Sequence, residues 1–431
     1  MASTYLTRTI TTSTDNTKFT ISVWVKKLKQ VSSSYQNIVN SRQSGTTNGL
    51  GLWFGDNDEI FYNFGTSSTA SSACQTNAKY RDNSGWYHIV LAGDASQSGT
   101  DKLKFYVNGE QITSFQTDNR SSFTTIAYDI GDTTYPTIIG RKHDGTFQYD
   151  GLMSHFHFID GTAYQASTFG EYDANGVWKI KTSPSVTYGN NGFFILKDGN
   201  SVTDQSGNSN NFTVGGGTLT NTEDNPSNVF ATKNPLDQNG GMTFSEGNLT
   251  VASTSASWRS TRGTLGVTQG KWYYEVKAVN TGGANLDMMV GWGDFEIAIP
   301  SEFSSSNPAL TYTAGSGNKQ LNGVNTSYGA TYNVGDIIGV AFDADNLTVE
   351  FFKNGTSQGS ISTGWSSGIT WTPIISLYGR YSNTKASYNF GNGYFGTTAV
   401  SSAGTNASGI GIFEYDVPTG FTALSTKGLN L

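Results

Sequence analysis

The 431-residue chain has a net charge of −7 and no basic run longer than Lys26-Lys27, which excludes the clustered cationic face that a nucleic-acid reader needs. Aromatic residues reach 13% and glycines number 52, whereas charged residues amount to only 14%, a composition of short strands and turns rather than of amphipathic helices. The one cysteine, Cys74, excludes an intramolecular disulfide framework, and neither a basic-then-apolar leader nor an apolar stretch of about 18 residues points to export or membrane insertion. The chain is therefore expected to fold in a cytosol, and its Ser/Thr/Asn/Gly-rich, low-charge, low-sulfur style suits a component of a larger particle.

Residues 1–165 read as one β-rich block. FTISVWV at 19–25 alternates cleanly, and GLWF at 51–54 and IFYNF at 60–64 follow in part. WYHIVLA at 86–92 leads through an acidic loop into LKFYVNGE at 103–110, whose Asn108-Gly109 pair is a hairpin corner. TIIG at 137–140 and GLMSHFHFI at 151–159 complete the block. Residues 166–242 are expected as a turn-rich connector, with a helical turn at 166–171, a strand at 192–196 and the string DQSGNSNNF at 204–212. Trp178, Phe193, Phe194 and Phe212 are too apolar for a free linker, so the connector is expected to pack on the first domain before running to the second.

A second β-rich block spans 243–398, and a tail from 399 to 431 holds enough apolar residues for one or two strands. The clearest segment is VGDIIGVAFDADNLTVEFFKNGTSQG at 334–359, a meander with an Asn354-Gly355 corner and apolar alternation at Val340, Phe342, Leu347, Val349 and Phe351. Its corner echoes the one at 108–109, as two aromatic sandwiches reusing the same turn chemistry would. The fold class is thus all-β, two antiparallel β-sandwich (jelly-roll) domains joined by the connector.

KWYYEV at 271–276, VGW at 290–292, the meander, TPIISL at 372–377 and YNFG at 388–391 stand in the order of a SPRY domain, which this block resembles. FTISVWVK, WYHIVLAGD, LKFYVNGEQI, IIGR and the strand ending HFHFIDG resemble a laminin-G-like, concanavalin-A-like jelly roll. The SPRY resemblance implies binding rather than catalysis, whereas concanavalin-like folds include glycoside hydrolases as well as lectins. In SPRY domains the partner meets loops at one end of the sandwich, which implies the 293–333 excursion and a site at Tyr378, Arg380 and Tyr381. Tyrosines, an arginine and small polar residues make a recognition surface.

Asp56, Asp58 and Glu59 follow Gly55 in a hairpin turn, which is expected to point the carboxylates to solvent rather than across a scissile bond. His155 and His157 share a strand face and could supply two metal ligands, with His88 or His143 as a third, but an amphipathic strand with a polar side accounts for them. Asp94, Asp132 and Asp144 are loop acids of the kind that hold calcium in laminin-G-like domains, although no compact ligand pattern links them. Cys74 has no activating neighbours.

The pairing of the two domain types resembles virion proteins of tailed bacteriophages. That resemblance implies a non-enzymatic tail fibre, spike or capsid-attached appendage in the virion. Its implied partners are other virion proteins and host-surface carbohydrate, with no nucleic acid, no membrane insertion and a homo-oligomer, a trimer by analogy with phage fibres. The rivals are a glycan depolymerase acting through Asp56 and Glu59, and a subunit that only mediates assembly.

Overall fold

The computed structural model describes residues 4–29, 34–42, 49–64, 73–126, 136–197, 199, 201–280, 286–305, 308–379 and 384–430. These residues form strands and short 3-10 turns, divided into two compact units, Met1–Asn221 and Thr222–Leu431. Each unit is an antiparallel β-sandwich.

In the first unit an eight-stranded sheet runs Phe115–Asp118, Ala73–Thr76, Ile60–Asn63, Gly49–Phe54, Gln36–Arg42, Thr137–Ile139, Tyr5–Arg8 and Thr213–Gly216. The facing six-stranded sheet runs Phe193–Ile195, Gly151–Asp160, Lys18–Lys27, Tyr87–Asp94, Leu103–Val107 and Glu110–Ile112. Alternation drives the packing: Phe19, Ile21, Val23 and Val25 point inward from one sheet to meet Leu50, Leu52 and Tyr62 from the other. Tyr62 touches Phe19 and Phe105 at ring separations of 6.3 and 6.0 Å.

The stretch expected as a connector is built into this unit as far as residue 221. Phe193–Ile195 extends the six-stranded sheet, Thr213–Gly216 extends the other, and Phe212 lies in the core. Thr168 ends a 3-10 turn at the position read as helical. A small hairpin, Gly170–Tyr172 with Trp178–Ile180, contributes Trp178 to a cluster with Phe169, Tyr164 and Tyr188 over Val90, Tyr106 and Ile159. From residue 222 the chain belongs to the second unit.

There, a seven-stranded sheet runs Lys233–Gln238, Trp258–Gly263, Trp371–Tyr378, Met288–Asp294, Ala309–Thr313, Asn318–Leu321 and Val324–Ser327. The opposing sheet runs Met242–Ser245, Thr250–Ser253, Thr384–Asn389, Lys271–Asn280, Ile337–Asp343, Thr348–Lys353 and Thr356–Ser362. Trp292 seals the interface, 5.7 Å from Tyr274 and 4.8 Å from Phe342. The 293–333 excursion, expected as loop, supplies three paired strands of the first of these sheets: Ala309–Thr313 pairs with Met288–Asp294, Asn318–Leu321 with Ala309–Thr313 and Val324–Ser327 with Asn318–Leu321, which satisfies backbone that a loop would leave to solvent. In the tail, Thr422–Ala423 pairs in parallel with Lys271–Asn280, while Phe413 and Val417 pack with Tyr273 and Ala341.

The two Asn-Gly corners are built alike. Asn108 and Asn354 have φ of 50° and 49°, and Gly109 and Gly355 follow at 86° and 78°, both central residues being left-handed as a two-residue hairpin turn requires. Each asparagine also ties its corner to a third strand: Asn108 Oδ1 accepts the His88 N–H and Asn354 Oδ1 accepts that of Ile337, both at 2.8 Å. The shared geometry follows from a side chain that tolerates positive φ and bridges strands.

Candidate functional site

On the outer face of the first unit's eight-stranded sheet, alternation places aromatic rings where solvent-facing polar residues are usual. Leu52 and Phe54 are core residues, so Trp53 between them faces outward, and Phe61 does the same between Ile60 and Tyr62. The register sets Trp53 opposite Phe61, and their rings stack at 4.8 Å with 14° between planes. Tyr35 stands edge-on to Trp53 at 6.4 Å and to Phe147 at 4.9 Å. All four residues are half-buried, neither sealed in the core nor fully exposed. Phe147 has φ of 52°, a left-handed conformation uncommon for a bulky residue, and its carbonyl accepts the Asn37 N–H at 2.9 Å. Gly51 is a requirement of this platform, since a Cβ there would lie within the Trp53 ring.

Polar groups border the rings. Asn37 sits opposite Trp53, and among the described residues neither Asn37 Oδ1 nor Trp53 Nε1 has a hydrogen-bond partner. Gln75, opposite Phe61, donates to Glu59 Oε1. Glu59 also accepts from Lys79 at 3.2 Å and from the Asn57 N–H at 3.1 Å. Burial pushes the Glu59 carboxyl up, but these bonds outweigh it and hold the group below the usual carboxylate range. Burial likewise pushes the Tyr35 phenol up, with Asp56 and Glu59 adding to the effect.

The carboxylates of the 56–59 turn are not all directed to solvent as expected. Asp58 and Glu59 are 2% and 1% exposed. Asp58 is ion-paired with the buried Lys27 and lies 3.5 Å from Arg81, because a charge this deep must find a counter-ion. Lys27 also donates to the Tyr80 carbonyl at 3.0 Å; burial lowers its pKa and Asp58 acts against that.

The other sequence candidates separate. Both His155 and His157 contact the Phe194 ring, at 5.6 and 3.9 Å, so the shared face is real despite a bulge between Ser154 and His157 and a φ of 47° at His155. That face is covered rather than solvated. His157 is buried against Tyr188, and His88 is held between Ser22 Oγ at 2.8 Å and Trp178 Nε1 at 3.0 Å. Burial pushes His88 down to about 3 and His157 well below its ordinary value, so both are neutral imidazoles at pH 7. His143 is elsewhere, bonded to Asn40. Among the described residues no group of three His, Cys, Asp or Glu side chains is arranged to hold a metal ion.

Asp94 caps Ser96 and lies 3.9 Å from Lys18, while Asp144 caps Thr146 and pairs with Lys142 at 2.6 Å, so each is engaged by its own turn. Asp132 lies outside the described residues. Cys74 is fully buried, which pushes its thiol up to about 12 and makes it inert. Of the recognition loop, Tyr378 ends a strand and stands edge-on to Trp258 at 5.6 Å, whereas Arg380 and Tyr381 lie outside the described residues. Sequence reading missed the Tyr35, Trp53, Phe61 and Phe147 platform. An alternating strand with aromatics in both registers, as in LWF and IFY, was the available signal.

Comparison with known proteins agrees with the two sandwiches. Residues 2–167 match the concanavalin A-like lectin/glucanases superfamily and residues 271–393 match the SPRY domain. The first unit thus carries a concanavalin A-like domain and the second a SPRY domain. The SPRY domain of human HERC1 is similar at 20% identity and a TM-score of 0.32, covering 36% of this chain and 96% of that one. Another human SPRY domain is similar at 16% identity and a TM-score of 0.29, covering 35% and 94%. The ATP-dependent RNA helicase DDX1 of Xenopus laevis is 30% identical over 127 residues, which is 29% of this chain and 16% of the helicase.

Proposed function

We propose that this chain is a non-enzymatic binding protein of a tailed-phage virion, a fibre, spike or capsid-attached appendage, that holds host-surface glycan on the outer aromatic face of its first sandwich. The supporting observation is the Trp53–Phe61 stack flanked by Tyr35 and Phe147, with the half-buried Gln75 beside it. Aromatic faces pack against the C–H faces of sugars, and an amide at their edge fixes hydroxyl orientation. The second sandwich and other virion proteins would anchor the chain, and a homo-oligomer would raise weak single-site affinity by avidity. Binding is preferred to glycan cleavage because Asp58 and Glu59 are tied to cations and amides rather than set across an open cleft.

The test is a glycan array and whole-cell binding with the full chain, with and without EDTA. Trp53→Ala is expected to weaken glycan binding by about tenfold or more, the loss of one stacking contact, with EDTA having no effect. Capture of no glycan and no cell, or binding indifferent to Trp53→Ala, would sink the reading in favour of a subunit that only mediates assembly.

A further inference from the structure

We propose a second binding site in the first unit, a polar pocket at Arg8 that takes the carboxylate of an acidic sugar. Strand Tyr5–Arg8 pairs with Thr213–Gly216, and their register slips between Tyr5 and Leu6. Beside this pair lies an open pocket of about 480 Å³ lined by Thr7, Arg8, Thr9, Ser209, Asn210 and Thr213 among others, a size in the range of small-molecule sites. It shares no residue with the aromatic platform.

Arg8 sets the chemistry. It is 9% exposed, yet among the described residues it makes no ion pair. A guanidinium has five N–H donors, and here Nη1 donates to the Asn191 carbonyl at 3.3 Å and Nη2 to Asn210 Oδ1, so donors are left over. Asp204 is the carboxylate whose field reaches Arg8, but it is engaged elsewhere. It accepts from the backbone N–H groups of Phe194, Ser206 and Asn210 and from Ser206 Oγ, and stays beyond ion-pair distance of Arg8. A buried cation whose counter-charge is not in contact gains by meeting a carboxylate, which a guanidinium can hold through two parallel bonds. One cation suits a monoanion rather than a phosphate dianion. The rest of the lining, hydroxyls and amides without a ring or an aliphatic wall, suits the hydroxyls of a sugar.

Binding of glucuronate, glucose and inorganic sulfate to the full chain, followed by calorimetry and ligand-observed NMR, tests this. Glucuronate is expected to bind and glucose not. Ser209→Asp should weaken glucuronate at least tenfold with an unchanged melting temperature, because Ser209 is exposed at the pocket with φ of 61°, a conformation aspartate tolerates. Arg8→Gln should weaken glucuronate at least as much while keeping an amide donor for the Asn191 carbonyl. Equal binding of glucuronate and glucose, binding of sulfate alone, or full binding by Ser209→Asp would each overturn the proposal. Trp53→Ala separates the two sites: it should leave glucuronate binding intact, and loss there would refute an independent pocket. Glucuronate binding in a chain that captures no array glycan would uphold the pocket and defeat the platform reading.

Discussion

Glu275→Ala is expected to destabilise the second unit by about 3–5 kcal/mol, the cost of stripping a buried acceptor from several donors at once. Glu275 is fully buried on the strand Lys271–Asn280, beneath the tail. Its carboxylate accepts the backbone N–H groups of Glu414 and Tyr415, both at 2.9 Å, together with Tyr273 O–H and Asn389 Nδ2, both at 3.3 Å. Two of the four donors are tail backbone, so the same substitution should expose residues near Phe413 to proteolysis before the sandwich itself unfolds.

The same group gives a pH signature. Burial pushes the Glu275 carboxyl up to about 7, with the four donors acting in the opposite direction. A carboxyl raised above its unfolded value contributes stability that is full below about pH 4.5 and lost as pH rises through about 7, a change of about 3 kcal/mol. In unit 2, Asp336, Asp343 and Asp416 are held below their usual range, so their contributions are lost only in acid, beneath this window. Relative to wild type, Glu275→Gln should therefore lack this loss between pH 5 and 8, so its melting temperature should fall less, or rise more, across that range. Parallel profiles for the two proteins would show that Glu275 does not titrate in this range.

Gly291→Ala should cost about 3 kcal/mol or more, at the upper end for overpacking, because the added methyl meets backbone. A Cβ at Gly291 would sit against the Leu310 carbonyl oxygen of the paired strand Ala309–Thr313, and the Gly291 carbonyl also accepts the Tyr274 hydroxyl at 2.7 Å. Two residues on, a Cβ at Gly293 would meet only side-chain atoms of Ile374 and Ala309 at 3.2–3.5 Å. Gly293→Ala should then cost about 1 kcal/mol. Denaturant midpoints at unchanged slope measure both, and equal losses would contradict a backbone clash as the cause.

Much of the fold was legible because its signals are local. Alternation at 19–25 and 337–343 follows from the two-residue period of a strand, and the Asn-Gly corners follow from steric limits on φ, so neither needs a distant partner. The apolar residues of the supposed connector likewise announced burial. Where they would bury was not readable: Phe193–Ile195 and Thr213–Gly216 join opposite sheets, a choice made by strands roughly 40 and 200 residues earlier in the chain.

The candidate sites were harder to read for the same reason. Ser22, His88 and His157 look solvent-facing by parity, but the segment that covers them lies elsewhere in the chain and turns an apparent polar face into neutral, hydrogen-bonded imidazoles. Asp58 looks like an ordinary turn acid until Lys27, 31 residues away, is brought against it. By itself the sequence determined two all-β sandwiches, their hairpins and the absence of a disulfide framework, since period, turn chemistry and composition are properties of neighbouring residues. Only the tertiary structure decided which faces stay partly open and which charges are paired, because burial and counter-ions come from strands brought together across the sheet.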